Sequence, residues 1–243
     1  MSKVRRALVT GGGQGIGAAI ARRLSVDGFK VVIADLDGGA AASVANEIGG
    51  IGRLMDASDP DGATEFVLTE GPFEVLVNNA GRDQHAFFTT TNIEDWQQLI
   101  AANLISVLAC THAVLPAMQT AGYGRIINIG SEAGRLGSRG GSVYAASKGG
   151  VTAFTKSIAR ENARFAITAN VVAPGPVDTP MLRAAISQDS VPDGDRLLKA
   201  MENSTLLHRL GTPDEVAATV AFLASEEAGF ITGETIGVSG GMG

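Results

Sequence analysis

Cysteine is almost absent from this chain: Cys110 stands alone among 243 residues. One thiol excludes an internal disulfide framework and a cysteine-built metal cluster, and it is compatible with a reducing cytosol. Histidine is scarce too. His85, His112 and His208 lie far apart, with no spacing of the H-x-x-x-H kind, so no metal site is expected. Positive charge is in the minority, 19 Lys and Arg against 25 Asp and Glu, for a net charge of −6. That leaves no basic footprint for nucleic acid or an anionic membrane. No apolar run is read as approaching the roughly 20 residues of a membrane span. The start, Met-Ser-Lys-Val-Arg-Arg, leads into a strand-like segment without a secretory signal. These absences point to a cytoplasmic protein. Charged residues are only 18% and apolar ones 45%, which suits a folded chain with little disorder. The length suits one α/β domain over residues 1–243 better than two small ones.

What is present is an alternation of apolar strands and helices. Strands are expected at 7–10, 30–34, 52–55, 74–77, 125–129, 167–173 and 235–238. Helices are expected at 18–26, 37–52, 60–70, 93–118, 143–164 and 213–224, with 178–207 irregular or helical and holding Pro192, Asp193 and Gly194. Strands alternating with helices imply right-handed crossovers and a parallel, doubly wound sheet of about seven strands with helices on both faces. Ligands of such sheets bind beyond the carboxyl ends of the strands. Cys110 and His112, on one of the long helices, are read as packing residues.

The first strand runs into Thr10-Gly11-Gly12-Gly13-Gln14-Gly15-Ile16-Gly17 and then a helix. Strand, glycine turn and helix start form the context of a phosphate-binding turn, in which backbone amides and the helix N-terminus hold a pyrophosphate. Asp35 ends the second strand, about 20 residues on, where an acidic side chain accepts hydrogen bonds from ribose hydroxyls and repels a 2′-phosphate. NAD is therefore favoured over NADP. The other reading of Asp35 is a cap for the helix that follows.

Between Ser131 and Lys148 the chain reads Ser-Glu-Ala-Gly-Arg-Leu-Gly-Ser-Arg-Gly-Gly-Ser-Val-Tyr-Ala-Ala-Ser-Lys. Tyr144 and Lys148, four apart, share one face of a helix. A free tyrosine titrates near 10, and an ammonium on the next turn favours the phenolate. Ser131, at a strand end, places a hydroxyl beside this pair, so a substrate oxygen has two donors.

With Asp56, Asn78-Asn79-Ala80-Gly81, Asn103, Pro174-Gly175 and Thr179, these motifs resemble the short-chain dehydrogenase/reductase family along nearly the whole chain, including the thirteen-residue step from Ser131 to Tyr144. The resemblance implies that Tyr144 is the general acid/base, Ser131 holds the substrate oxygen, and Lys148 lowers the tyrosine pKa and binds the nicotinamide ribose. It implies that Asn103 holds a water for proton relay through Lys148. It assigns to the cofactor Gly11, Gln14, Gly15, Ile16, Gly17, Asp35, Asp56 (beside the adenine), Asn78, Ala80, Gly81, Pro174, Gly175, Val177 and Thr179, together with Tyr144 and Lys148. Residues 180–207 correspond to the family's variable substrate lid.

Within the family the chain is similar to reductases of 3-oxoacyl thioesters and their CoA-linked dehydrogenase relatives, among them those acting on 2-hydroxycyclohexanecarboxyl-CoA. The resemblance rests on Asn170–Gly175, 230–235 and Ser239-Gly240-Gly241-Met242 for the former, and on 78–83, 112–116, 143–150 and 174–179 for the latter. An acyl-CoA substrate is expected, with an acyl-carrier-protein reductase or a free secondary-alcohol dehydrogenase as alternatives. The carrier-protein reductases carry arginines where this chain has Gly122 and Phe165, although Arg164 is adjacent to the second. Arg135 and Arg139 either meet an anionic substrate group or are surface residues. Glu132 is read as pointing away, and Arg82, Asp83 and His85 as reaching toward the pocket rim. The resemblance also implies a homotetramer, built through the helices around Asn103 and Tyr144 and the last strand.

Overall fold

The computed structural model describes residues 5–187 and 193–242; the expectations for residues 1–4 and for Pro192 lie outside them. Seven parallel strands form one sheet in the order β3-β2-β1-β4-β5-β6-β7. They are β1 (Arg6–Thr10), β2 (Lys30–Asp35), β3 (Ile51–Leu54), β4 (Val75–Asn78), β5 (Gly124–Ile129), β6 (Ile167–Pro174) and β7 (Thr235–Val238). The interior strands are buried along their length, which is why they read as unbroken runs such as Val-Val-Ile-Ala rather than alternating ones.

Ten helices accompany them in the described residues: α1 (Gly15–Val26), α2 (Gly38–Ile48), α3 (Pro60–Glu70), α4 (Ile93–Ile100), α5 (Ser106–Ala121), α6 (Ala133–Leu136), α7 (Ser142–Asn162), α8 (Pro180–Ile186), α9 (Gly194–Asn203) and α10 (Pro213–Ala224). Their starts follow local chemistry. Asp59 caps α3 with Pro60 in its first turn, and capping boxes Asn92/Asp95 and Thr212/Glu215 open α4 and α10. Helix α2 stops at Gly49, earlier than the composition implied, because that glycine turns left-handed at φ 65°.

One face of the sheet is covered by α1, α2 and α10, the other by α3, α5 and α7. Leu8, Ile33, Leu76 and Ile126 are almost fully buried. Side chains of this kind each stabilise the fold by roughly 1.5–3 kcal/mol.

The segment from Ile93 to Ala121 corrects one expectation. By length and composition this helical run is apolar enough to cross a membrane, but half of its most apolar window is buried inside the protein. It is the core helix of the sheet's second face. A π turn at Ala101–Ile105 interrupts it and places Asn103 inside the irregularity. Cys110 is buried as expected, and burial pushes its thiol up to about 12. His112, expected to pack, is exposed on α5.

Candidate active site

A cavity of about 750 Å³ lies beyond the carboxyl ends of the central strands. Its floor begins at the glycine turn. Gly11 adopts φ 62°, and a Cβ there would stand 2.8 Å from Ala80 Cα, so a side chain is excluded both by conformation and by space. Asn79 braces this turn: its Nδ2 donates to Thr10 O and Gly11 O at 3.0 and 2.8 Å. Gln14 stands at the N-cap of α1 without a side-chain cap, which leaves first-turn amides for an anion.

Asp35 closes this end of the cavity. Gly13 N donates to its Oδ2 at 2.8 Å and Asp37 N to its Oδ1 at 3.0 Å. The carboxylate is therefore fixed, with lone pairs left for further donors. The cap of α2 is Asp37, not Asp35. Asp56 is fixed in turn by the Ser58 amide and hydroxyl, at 2.8 and 2.6 Å.

The end of the cavity that holds Ser131, Tyr144 and Lys148 is built by β5 and α7. Lys148 is buried, and its Nζ donates to Ile129 O at 2.8 Å. Tyr144 lies one turn before it, with Lys148 Nζ 5.8 Å from the ring centroid. Ala133 N donates to Ser131 Oγ at 3.1 Å, which fixes that hydroxyl at the end of β5. Gln84 joins this group: its Oε1 accepts from Val143 N and Tyr144 N at 3.1 and 3.3 Å and so caps α7.

Electrostatics here differ from the expected effect of Lys148 on its neighbour. The Tyr144 phenol is pushed up to about 12, first by burial and then by the Asp83 carboxylate, with the Ser131 hydroxyl acting in the opposite sense. Burial lowers Lys148 to about 8, with Asp83 opposing it. Desolvation outweighs the pairing that the Tyr-x-x-x-Lys spacing suggested. With that shift the phenol is protonated at neutral pH.

The structure brings Gly11, Gln14, Gly15, Ile16, Gly17, Asp35, Asp56, Ala80, Gly81, Asn103, Ser131, Tyr144, Lys148, Pro174, Gly175, Val177 and Thr179 around the one cavity. Asn78 is the exception. It is buried, and its Nδ2 donates to Asn128 Oδ1 at 2.8 Å and Thr111 Oγ1 at 3.2 Å. Successive side chains of a strand point to opposite faces, and this one enters the helix layer to tie β4, β5 and α5 together.

One further residue, Glu132, is placed differently from its reading, and Asn103 and Arg135 have partners that the sequence did not show. The Asn103 carboxamide is fully buried and clamps Arg82, accepting from its N–H at 3.1 Å and donating to its C=O at 2.9 Å. Its side chain therefore holds the 81–85 segment. Glu132 does not point away but is buried beside the cavity, and Arg135 NH1 pairs with it at 3.0 Å. The short helix α6 sets this i,i+3 contact, and Arg135 remains about half exposed. Arg139, Arg82, Asp83 and His85 all line the cavity.

Sequence reasoning assigned no site role to Gln84 or Asn79 and gave 180–207 only as a lid, without singling out Met181, Leu182, Leu197 and Met201 or, in the tail, Met242, all of which line the cavity. Only the paired polar residues at 78–79 and the cluster at 82–85 marked the former in advance.

A family profile described as "Enoyl-(Acyl carrier protein) reductase" matches residues 11–243. The chain is 41% identical to the 3-oxoacyl-acyl-carrier-protein reductase FabG of Escherichia coli (strain K12), over 97% of this chain and 96% of that one. It is 42% identical to the 3-oxoacyl-acyl-carrier-protein reductase MabA of Mycobacterium tuberculosis (strain H37Rv), over 98% and 93%. The corresponding FabG of Vibrio cholerae is 40% identical over 97% and 96%. The chain belongs to the short-chain dehydrogenase/reductase family. As such a dehydrogenase/reductase it is an oxidoreductase of CH–OH and carbonyl groups that works with a nicotinamide cofactor. The glycine turn closed to any Cβ, the uncapped start of α1 and the fixed Asp35 carboxylate fit a dinucleotide.

Proposed function

We propose that this enzyme interconverts a 3-hydroxyacyl and a 3-oxoacyl thioester with NAD(H), by acid/base catalysis at Tyr144. The observation that carries the reading is the grouping of Ser131, Tyr144 and Lys148 at the end of β5 and the start of α7, in one cavity with the glycine turn. Ser131 and Tyr144 donate to the carbonyl oxygen of the oxo substrate. Tyr144 then gives its proton to the developing alkoxide, and in the reverse direction takes it from the alcohol. The nicotinamide, when bound, supplies or accepts the hydride at carbon. Lys148, buried behind Tyr144, stabilises the phenolate that proton donation leaves.

Asp35 supports NAD: two backbone N–H donors fix its carboxylate in the same cavity as the glycine turn, where its charge would oppose a 2′-phosphate. The apolar wall of Met181, Leu182, Leu197, Met201 and Met242 suits an acyl chain, and α8 and α9 serve as the substrate lid. The curated relatives are carrier-protein reductases, which supports an acyl-carrier-protein thioester ahead of the CoA ester that the sequence favoured. Gly122 and Phe165, in place of arginines, support a CoA ester as the second reading. We further propose a cytoplasmic homotetramer.

The test is steady-state turnover of 3-oxobutyryl groups on acyl carrier protein and on CoA, each with NADH and NADPH. Turnover of either thioester with NADH at least about tenfold faster than with NADPH is expected. Reduction of free ketones alone would overturn the thioester assignment, and a preference for NADPH would overturn the role of Asp35.

A further inference from the structure

The cavity wall between β4 and α4 carries four polar side chains in a row, Arg82, Asp83, Gln84 and His85. Two are engaged elsewhere. Arg82 NH1 donates to Gln98 Oε1 at 3.1 Å, and the Gln84 carboxamide oxygen caps α7. The other two face each other: His85 Nε2 lies 3.3 Å from Asp83 Oδ2. Gln84 N donates to Asp83 Oδ1 at 2.7 Å, so the carboxylate is held from two sides. The Asp83 and His85 side chains remain 40% and 36% exposed, so a bound molecule can meet them. Asp83 lines the same cavity as Tyr144 and Lys148, and its charge acts on both. Of the cavity's cations, Lys148 is on the Ile129 carbonyl and Arg139, exposed, lies over the ring of Phe87, while His85 pairs with Asp83, which favours its charged form and offsets part of the carboxylate's charge.

Resting on the thioester reading above, we propose that Asp83, held in place by His85, is a specificity-determining residue that admits acyl thioesters and turns away free 3-hydroxy and 3-oxo acids. A free acid and its thioester share the reacting carbon and the acyl chain. They differ at the carboxyl carbon, two bonds from the reacting one, where the acid is charged and the thioester neutral. With the reacting carbon at Tyr144, the acid's charge falls in the field of Asp83. Like charges in a partly enclosed site repel far more than in water. Discrimination by an unfavourable contact with the wrong substrate serves where the acyl chain itself cannot distinguish the two.

The experiment compares kcat/KM with NAD for 3-hydroxybutyryl-CoA, free 3-hydroxybutyrate and the uncharged secondary alcohol 2-butanol. It uses the wild type, Asp83→Asn and His85→Gln. For Asp83→Asn the acid-to-alcohol ratio is expected to rise about tenfold or more, with the thioester-to-alcohol ratio within about threefold of wild type. His85→Gln retains the carboxylate and is expected to exclude the acid at least as strongly as wild type. An unchanged acid-to-alcohol ratio in Asp83→Asn overturns the proposal. So does a parallel relaxation in both variants, which would mark the pair as merely structural. Absence of thioester turnover by the wild type overturns the thioester reading instead, and the acid-to-alcohol comparison still decides the role of Asp83.

Discussion

Single side chains decide the chemistry here through burial more than through pairing. Lys148 titrates at about 8 in the folded protein against 10.5 when free. A lowered lysine pKa means that the folded state disfavours the charged form. Stability is full above the free value and falls as pH drops from 10.5 through about 8. The shift corresponds to about 3 kcal/mol at pH 7. Lys148→Met is therefore expected to flatten the rise in stability between pH 8 and pH 10, measured by urea unfolding, while abolishing turnover. Tyr144 has the opposite slope. Its folded pKa is raised from 10 to about 12, so its contribution is lost only as pH climbs through that window. Alcohol oxidation, which needs the phenolate, is expected to accelerate toward alkaline pH, while ketone reduction holds at neutral pH. A pH–rate profile in both directions checks this. At the other end of the cavity, Asp35→Ala is expected to weaken NAD by about tenfold and narrow the preference over NADP. Binding titrations with both cofactors read this directly.

At the scale of elements, the proposed catalytic end is held by a loop, a helical run interrupted by a π turn and a helix start. The π turn at Ala101–Ile105 carries Asn103, which clamps the backbone of Arg82, and Gln84 in the same loop caps α7 at Tyr144. Gly81 has no room to change, because a Cβ would stand 2.5 Å from Asn103 Oδ1 and 3.5 Å from Lys148 Nζ. Asn103→Ala removes the side-chain partner of the part-buried Arg82 N–H and C=O and is expected to cost about 1 kcal/mol of stability. It is expected to lower kcat by about tenfold or more with cofactor affinity nearly unchanged, measured by stopped-flow turnover and cofactor titration. Little of this clamp was legible beforehand. The strands, the glycine turn and the Tyr144/Lys148 helix face follow from periodicity and spacing. The partner of a buried carboxamide follows from tertiary packing. The Asn78–Asn79 doublet shows the limit: the sequence marks both as notable, but only the strand's register sends Asn78 into the helix layer and Asn79 to the glycine turn. Glu132 and Arg135 show it again, because the short helix α6 that pairs them has too few residues for a periodic signal.

For the molecule as a whole, one parallel sheet places the ends of β1, β2, β4, β5 and β6 around one cavity, so residues from Gly11 to Met242 meet in it. The architecture was legible because strand runs and helix caps agree along the chain. The substrate was not, because the apolar lining of α8 and α9 has no fixed spacing. The fully exposed Phe230 and the edge position of β7 leave apolar surface at one end of the sheet. Sedimentation is expected to give a tetramer, and a monomer would dismiss that assembly. Tyr144→Phe is the most direct trial of the catalytic reading, measured as NADH-dependent reduction of a 3-oxoacyl thioester alongside NADH binding by fluorescence. A loss of about 10²–10⁴-fold in kcat is expected, with NADH affinity within about twofold of wild type. Retention of near wild-type turnover by Tyr144→Phe would contradict the assignment of Tyr144 as the acid/base and, with it, the proposed chemistry of the cavity.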